Sequence, residues 1–388
     1  MLREYARHVV KAEALDASGK PLAVEKVAHN VWRCHAPGGG HVTLRLSVYA
    51  LDQSVRGAWL DTRQAWFNGP CLFALPKNHA DADIRLTIEV PQAPLDAWQV
   101  ATAMTPLETD ANGFGQYSAA DYNELLDHPV LIGQLDRVDF ACGGVPHSVV
   151  VVGAHDGNLE RVGKDLQRIC TAQIEFFGQP PPFDRYQFLC VVVADGYGGL
   201  EHRYSSMLMF ARRNLPYPGA DDVAKDYQRM LSLASHEYFH TWHVKRTMPA
   251  AFMPYRLTER NFTRLLWVFE GITSYYQDRF LLRSGLIDEQ TYLNRLAELI
   301  SNVLRMPGRH LQSLAESSFD AWDKLYKPNE NSPNAGISYY SKGALVSLAL
   351  DLEIRRRRNS EMSLDTVVQA FWREFGAQDI GVPEDGFE

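Results

Sequence analysis

The chain has 388 residues, 22% charged and 46% hydrophobic, the composition of a globular protein long enough for two or three domains and a large core. Its 39 Lys and Arg against 47 Asp and Glu give a net charge of −8 with no strongly basic segment, so neither nucleic acid nor an anionic membrane is expected as a partner. There is no apolar run of about 18 residues to span a membrane, and the opening MLREYARHVVKAEALDASGK carries no apolar leader, so a cytoplasmic protein is expected. The five cysteines, Cys34, Cys71, Cys142, Cys170 and Cys190, form no CxxC pair. They read as small buried hydrophobes, not as a disulfide frame or a metal site.

Residues 1–155 are punctuated by Gly, Pro, Asn and Asp between short apolar runs: 41–50, 83–90 and 147–155. Alternation in the first two predicts half-buried strands, hence an N-terminal antiparallel, sandwich-like β domain. From about 158 the pattern changes. Residues 159–178 have helical spacing and end at Gly178 before three prolines, 186–199 form a β-rich run, and 203–211 read as another strand. Helices are predicted over 222–245, with Asp221 and Asp222 as candidate caps, and over 261–283, 288–305 and 338–357. Residues 306–337, rich in Pro, Asn and Ser, read as loop with short helices. The basic run Arg355 to Arg358 reads as a solvated helix C-terminus favoured by the dipole. The class is α+β.

The chemistry is concentrated in LSLASHEYFHTWHVKR, which contains His236-Glu237-Tyr238-Phe239-His240. On a helix, positions i and i+4 project to one side, so His236 and His240 suit one metal ion, and Glu237 reaches a water beside it. Alone, the pattern also suits an amphipathic helix with two histidines satisfied in the core. A zinc site needs a third protein ligand. His243 shares the face, but seven residues of straight helix carry it about 10 Å from His236, too far for one ion. Glu270 is the better candidate: it is the single acid in LLWVFEGITSYY, where a carboxylate must be paired or metal-bound.

These two segments together resemble the gluzincin metallopeptidases, and within them the glycyl aminopeptidase family, whose members often carry a C-terminal PDZ domain. The 29-residue interval between His240 and Glu270, longer than in the large aminopeptidases, is what points to that branch. The resemblance implies one Zn²⁺ per chain held by His236, His240 and Glu270, with Glu237 as general base. Gly198, Gly199 and Glu201, in GGLEH, resemble the strand that lines the aminopeptidase cleft, with Glu201 binding the substrate's free amino terminus. Tyr340, in SYYSKGALVSLALDLEIR, resembles the oxyanion-stabilising tyrosine, with Tyr339 as the neighbour it is most easily confused with. The implied domains are a β domain (1–155), a thermolysin-like catalytic domain (156–305) and a helical C-terminal region (306–388). The resemblance further implies that strands preceding EYARHVV and a PDZ domain are missing. Two positions depart from the pattern. His243 stands where the family commonly has Asn, and Gln277, followed by Asp278, stands where the larger relatives have an acid that orients a zinc histidine.

The function expected is zinc-dependent removal of N-terminal Gly or Ala from peptides with a free amino terminus. Two other readings use the same residues: a zinc endopeptidase on this scaffold, and a binding or scaffold protein that keeps the fold without turnover. Neither oligomeric state nor physiological substrate is legible.

Overall fold

A computed structural model of the protein describes residues 3–36, 40–219 and 223–387. The candidate caps Asp221 and Asp222 lie outside the described residues. The described chain divides into two compact units, one of Arg3–Asp136 with Val151–Gly153, the other of Arg137–Val150 with the chain from Ala154 onward.

The first unit consists of antiparallel sheets. Strands Val31–His35, Pro21–Ala28, Val9–Asp16 and Val42–Val48 lie in that order in one sheet. Ile84–Ile88, Gly115–Ala119 and Thr105–Thr109 form a second. Ala58–Leu60, Gln64–Phe67, Val130–Gly133 and Gln99–Ala101 form a third. The alternation predicted for 83–90 is realised in Ile84–Ile88, alternately half-buried and exposed, while that predicted for 41–50 slips once in Val42–Val48, where Leu44 and Arg45 are both exposed. Asp121 caps the short helix Tyr122–Leu126 through the Glu124 amide, and Tyr122 and Leu125 join Met104 and Tyr117 in a local core.

The second unit is built on a five-stranded sheet in the order Asp136–Cys142, Val145–Val152, Tyr186–Val193, Ser205–Ala211 and Tyr197–Glu201. Tyr186–Val193 and Ser205–Ala211 are almost wholly buried and pair in parallel, which explains why both read as continuous apolar runs instead of alternating ones. The β-rich run expected over 186–199 breaks after Val193. The chain then reverses, and Tyr197–Glu201 pairs antiparallel with Ser205–Ala211 at the sheet edge.

The helix Lys225–Phe239 packs against the strands Tyr197–Glu201 and Ser205–Ala211, and further helices pack on it and on one another. Leu159–Phe177 is capped by Asn158 and ends at Gly178 with φ 98°. Asp288 caps Glu289–Leu304, and Ser338 caps Tyr339–Arg357. Two predicted helices are shorter than expected. The 222–245 helix runs only over Lys225–Phe239, with His240 at its C-cap. Beyond it Trp242 turns inward and stacks on Phe177 at 4.7 Å, while Arg246 donates to the carbonyls of Thr241 and Pro182. Burial of the indole and satisfaction of the freed carbonyls end the helix where sequence periodicity would continue it. The 261–283 helix opens instead with a π-helical turn, Trp267–Gly271, followed by the α-helix Ile272–Arg283.

Candidate metal centre

His236 lies in the last turn of the Lys225–Phe239 helix and His240 at its C-cap. Glu270 comes from the π-helical turn, a distortion frequent at functional sites because it re-aims side chains. The three converge. His236 Nε2 and His240 Nε2 are 3.0 Å apart, and Glu270 Oε2 is 3.3 Å from the first and 3.1 Å from the second.

The outer ring nitrogens explain how the imidazoles are aimed. His236 Nδ1 faces the Gln277 side-chain carbonyl at 2.8 Å, and His240 Nδ1 faces the His243 backbone carbonyl at 2.8 Å. Both acceptors place the proton on Nδ1, so both Nε2 lone pairs point at the Glu270 oxygen and at each other. Such a convergence of acceptors is repulsive unless a cation sits among them. A tetrahedral ion with bonds of about 2.0–2.1 Å holds its ligands roughly 3.3 Å apart, so the donor set and its spacing suit zinc. Burial lowers the pKa of His240, but the Glu270 carboxylate outweighs it and raises it to about 9, so a proton on His240 Nε2 relieves this repulsion without an ion, and a metal would take that proton's place. Burial raises Glu270, but the neighbouring His240 outweighs it and holds the carboxyl well below its ordinary range.

His243, rejected as a ligand from helix geometry, is buried away from the cluster and donates from Nε2 to the Val268 carbonyl at 3.1 Å. Its backbone orients His240 while its ring braces the turn before Glu270. Gln277, which departs from the acid of the larger relatives, accepts from His236 through its side-chain carbonyl.

Glu237 is buried, and it lies against the edge strand that carries the glycines. A Cβ on Gly199 would overlap the Glu237 carboxylate, so the strand approaches the Lys225–Phe239 helix this closely only with glycine there. Gly198 is the adjacent residue of the same strand, paired with Met209. Glu201 closes the strand, and its carboxylate, that of Glu237 and a His240 nitrogen lie within 4.8 Å of one another.

Tyr340 stands in the first turn of the Tyr339–Arg357 helix, and its hydroxyl donates to Glu270 Oε1 at 3.2 Å. Tyr339 instead turns into the core and approaches the Tyr326 hydroxyl at 3.3 Å. Burial, then the Glu270 charge, push the Tyr340 phenol well above its ordinary pKa, so it stays a donor. The helix comes this close because glycine meets glycine: a Cβ on Gly271 would be 2.7 Å from the Gly343 Cα. Sequence reasoning missed Tyr326, whose hydroxyl is 2.7 Å from that of Tyr340. It lies in a loop with no periodicity to mark it.

Comparisons with known proteins bear on this constellation. The M61 glycyl aminopeptidase family matches residues 229–346, and the peptidase M61 N-terminal domain matches residues 1–134. The chain belongs to the M61 glycyl aminopeptidase family. An aminopeptidase N family protein from Idiomarina loihiensis shares 39% identity with a TM-score of 0.96, over 99% of this chain and 65% of that one. The chain thus spans less than two thirds of this family relative. An M1 zinc metallopeptidase from Deinococcus radiodurans shares the fold at 14% identity and a TM-score of 0.56, covering 95% of this chain and 77% of that one. A variant of that enzyme bound to Tyr-Ser-Ala has a TM-score of 0.57 at 15% identity, covering 98% of this chain and 79% of its own. A comparison with curated proteins gives no match. Among the described residues no helix is long and apolar enough to cross a membrane.

Proposed function

We propose that the protein is a zinc aminopeptidase that removes a small N-terminal residue, glycine or alanine, from peptides. The observation that carries this reading is the convergence of His236 Nε2, His240 Nε2 and Glu270 Oε2 within 3.0–3.3 Å, each imidazole fixed by an acceptor on its far nitrogen. Membership of the M61 glycyl aminopeptidase family supports the substrate class.

His236, His240 and Glu270 hold the metal in this proposal. Zinc bound there supplies Lewis acidity and lowers the pKa of a water to about 7. Glu237, beside the site, would take a proton from the attacking water and later pass it to the leaving amine. The Tyr340 phenol donates a hydrogen bond to the oxyanion of the tetrahedral intermediate. Glu201 accepts from the substrate's α-ammonium and sets one residue between that end of the cleft and the scissile bond. Gly198 and Gly199 keep the cleft wall free of side chains.

The test combines elemental analysis with turnover of Gly-, Ala- and Leu-p-nitroanilide on one sample. One zinc per chain is expected, with chelator-sensitive release favouring Gly and Ala. Glu237→Gln is expected to retain zinc and lose about 10²–10⁴-fold in kcat; a variant turning over at the wild-type rate would remove the mechanism. Cleavage of N-terminally blocked peptides unaffected by Glu201→Gln would establish an endopeptidase instead. Absence of zinc after reconstitution would leave a scaffold protein.

A further inference from the structure

The helix that carries the two histidines has a second buried face, where Tyr238 points away from the metal centre. Its hydroxyl is 2.8 Å from His147 Nε2, and His147 Nδ1 faces the Val145 carbonyl at 2.9 Å. The Nδ1 proton therefore goes to Val145, and Nε2 accepts from Tyr238. Cys142 Sγ lies 3.4 Å from Nδ1 and 3.5 Å from Nε2. Cys170 completes a buried cluster in which the donor atoms of Cys142, His147 and Cys170 all lie within 4.8 Å of one another. Three separate elements supply it: Cys142 ends the strand Asp136–Cys142, His147 lies in the strand Val145–Val152, and Cys170 lies in the helix Leu159–Phe177.

Two cysteines and a histidine suggest a soft metal, but the geometry opposes it. Both nitrogens of His147 are engaged, and Cys142 Sγ is nearly equidistant from them, beside the ring instead of along either lone pair. An ion bound along the Nε2 lone pair at about 2.0 Å would stand roughly 3 Å or more from that sulfur, beyond a Zn–S bond of about 2.3 Å. What remains is a pair of thiols in unlike surroundings. A hydrogen bond from Cys170, then His147, lowers the Cys142 thiol below its ordinary pKa, while full burial holds Cys170 above it. One thiol is thus prepared to attack and the other to resolve. Both thiols are buried, but the turn next to Cys142 lies at the surface: Gly144 is exposed and a Cβ on it would meet nothing within 4 Å.

We infer that Cys142 and Cys170 form a redox pair that closes to an internal disulfide on oxidation by a peroxide and reopens with a dithiol. The Cys142 thiolate attacks one peroxide oxygen. The O–O bond breaks, leaving a sulfenic acid on Cys142 and a hydroxide that takes up the proton Cys142 had released. Cys170 sulfur then attacks the sulfenic sulfur; the S–S bond forms, the S–O bond breaks, and the thiol proton leaves in a second water. Two thiols lose one electron each and the peroxide gains two.

The experiment treats the zinc-loaded full chain with graded hydrogen peroxide, alkylates the free thiols on denaturation, and maps the peptides without reduction. A linked pair containing Cys142 and Cys170 is expected, lighter by two hydrogen atoms and restored by dithiothreitol. In Cys170→Ala, dimedone is expected to label Cys142, and in Cys142→Ala, Cys170 is expected to stay unlabelled. The inference is overturned if both thiols remain alkylatable at peroxide doses that oxidise the half-buried Cys34, or if Cys142 proceeds to sulfinic acid while Cys170 stays free. A second bound metal lost on Cys142→Ala would overturn it in favour of a metal site. Should an alanine variant fail to fold, the wild-type peptide map alone decides.

Discussion

Glu237 and Gly199 show how much of this site rests on single atoms. The carboxylate of Glu237 occupies the space that any side chain at 199 would fill. Gly199→Ala is therefore expected to displace Glu237, the general base of the proposed mechanism, while leaving His236, His240 and Glu270 in place. A shift of about 1 Å in a catalytic group costs on the order of 10²-fold, so kcat should fall by that order with zinc content unchanged. Undiminished kcat in a variant of normal zinc content would show that Glu237 is not held by this contact. His243 gives a pH prediction. Burial lowers it to about 4 from an ordinary value of 6.5, so the folded protein excludes a proton that the unfolded chain accepts between those values. Its contribution to stability is complete above about pH 6.5 and is lost as pH falls toward 4, on the order of 3 kcal/mol at most. In thermal unfolding from pH 7.5 to 4.5, His243→Asn, which can still donate to Val268, is expected to show the shallower acid decline. Parallel curves would refute the assignment.

Element geometry decides how the second half of the site meets the first. The π-helical turn aims Glu270 at the histidines, and the Gly271–Gly343 contact lets the Tyr339–Arg357 helix bring Tyr340 to Glu270. Adding a methyl at 343 forces that crossing apart, since a Cβ there lies 2.9 Å from the Gly271 Cα. Gly343→Ala is expected to destabilise by about 1–3 kcal/mol and, under the proposed function, to lower kcat more than it raises KM, because Tyr340 moves and Glu201 does not. A variant losing stability with kcat intact would separate the crossing from catalysis. The strand Tyr197–Glu201 is the other decisive element. It lies at the sheet edge beside the Lys225–Phe239 helix, where its glycines matter for what they leave empty.

Within the second unit, the proposed metal site would tie together parts of the chain that are remote in sequence. Its two histidines come from the end of one helix and Glu270 from a turn 30 positions after His240. Zinc that binds only this folded arrangement stabilises it by mass action, about 2.7 kcal/mol at a hundredfold excess over its dissociation constant. Chelation is thus expected to lower the unfolding midpoint, and re-added zinc to restore it in proportion to concentration. A midpoint indifferent to chelator, in protein shown to contain zinc, would mean that the metal does not bridge these segments.

The sequence alone determined whatever is local or periodic. The i, i+4 histidines, the acid between them and the isolated Glu270 in an apolar run point to a metal chemistry without coordinates, because side-chain spacing on a helix is fixed by the helix itself. Strand alternation over 83–90 was legible for the same reason, whereas the caps at Asn158, Asp288 and Ser338 emerge only from the structure. Tertiary structure decided what depends on non-local contact. The helix stops at Phe239 because Trp242 finds Phe177 and Arg246 finds the loose carbonyls. Tyr340 reaches Glu270 while Tyr339 turns away, a distinction that sequence neighbours cannot express. Cys142 and Cys170, 28 positions apart and without a pairing motif, become neighbours only when strand and helix pack. A side chain's partner is set by the elements that enclose it, and those are chosen by burial over the whole unit and not by the residues beside it in the chain.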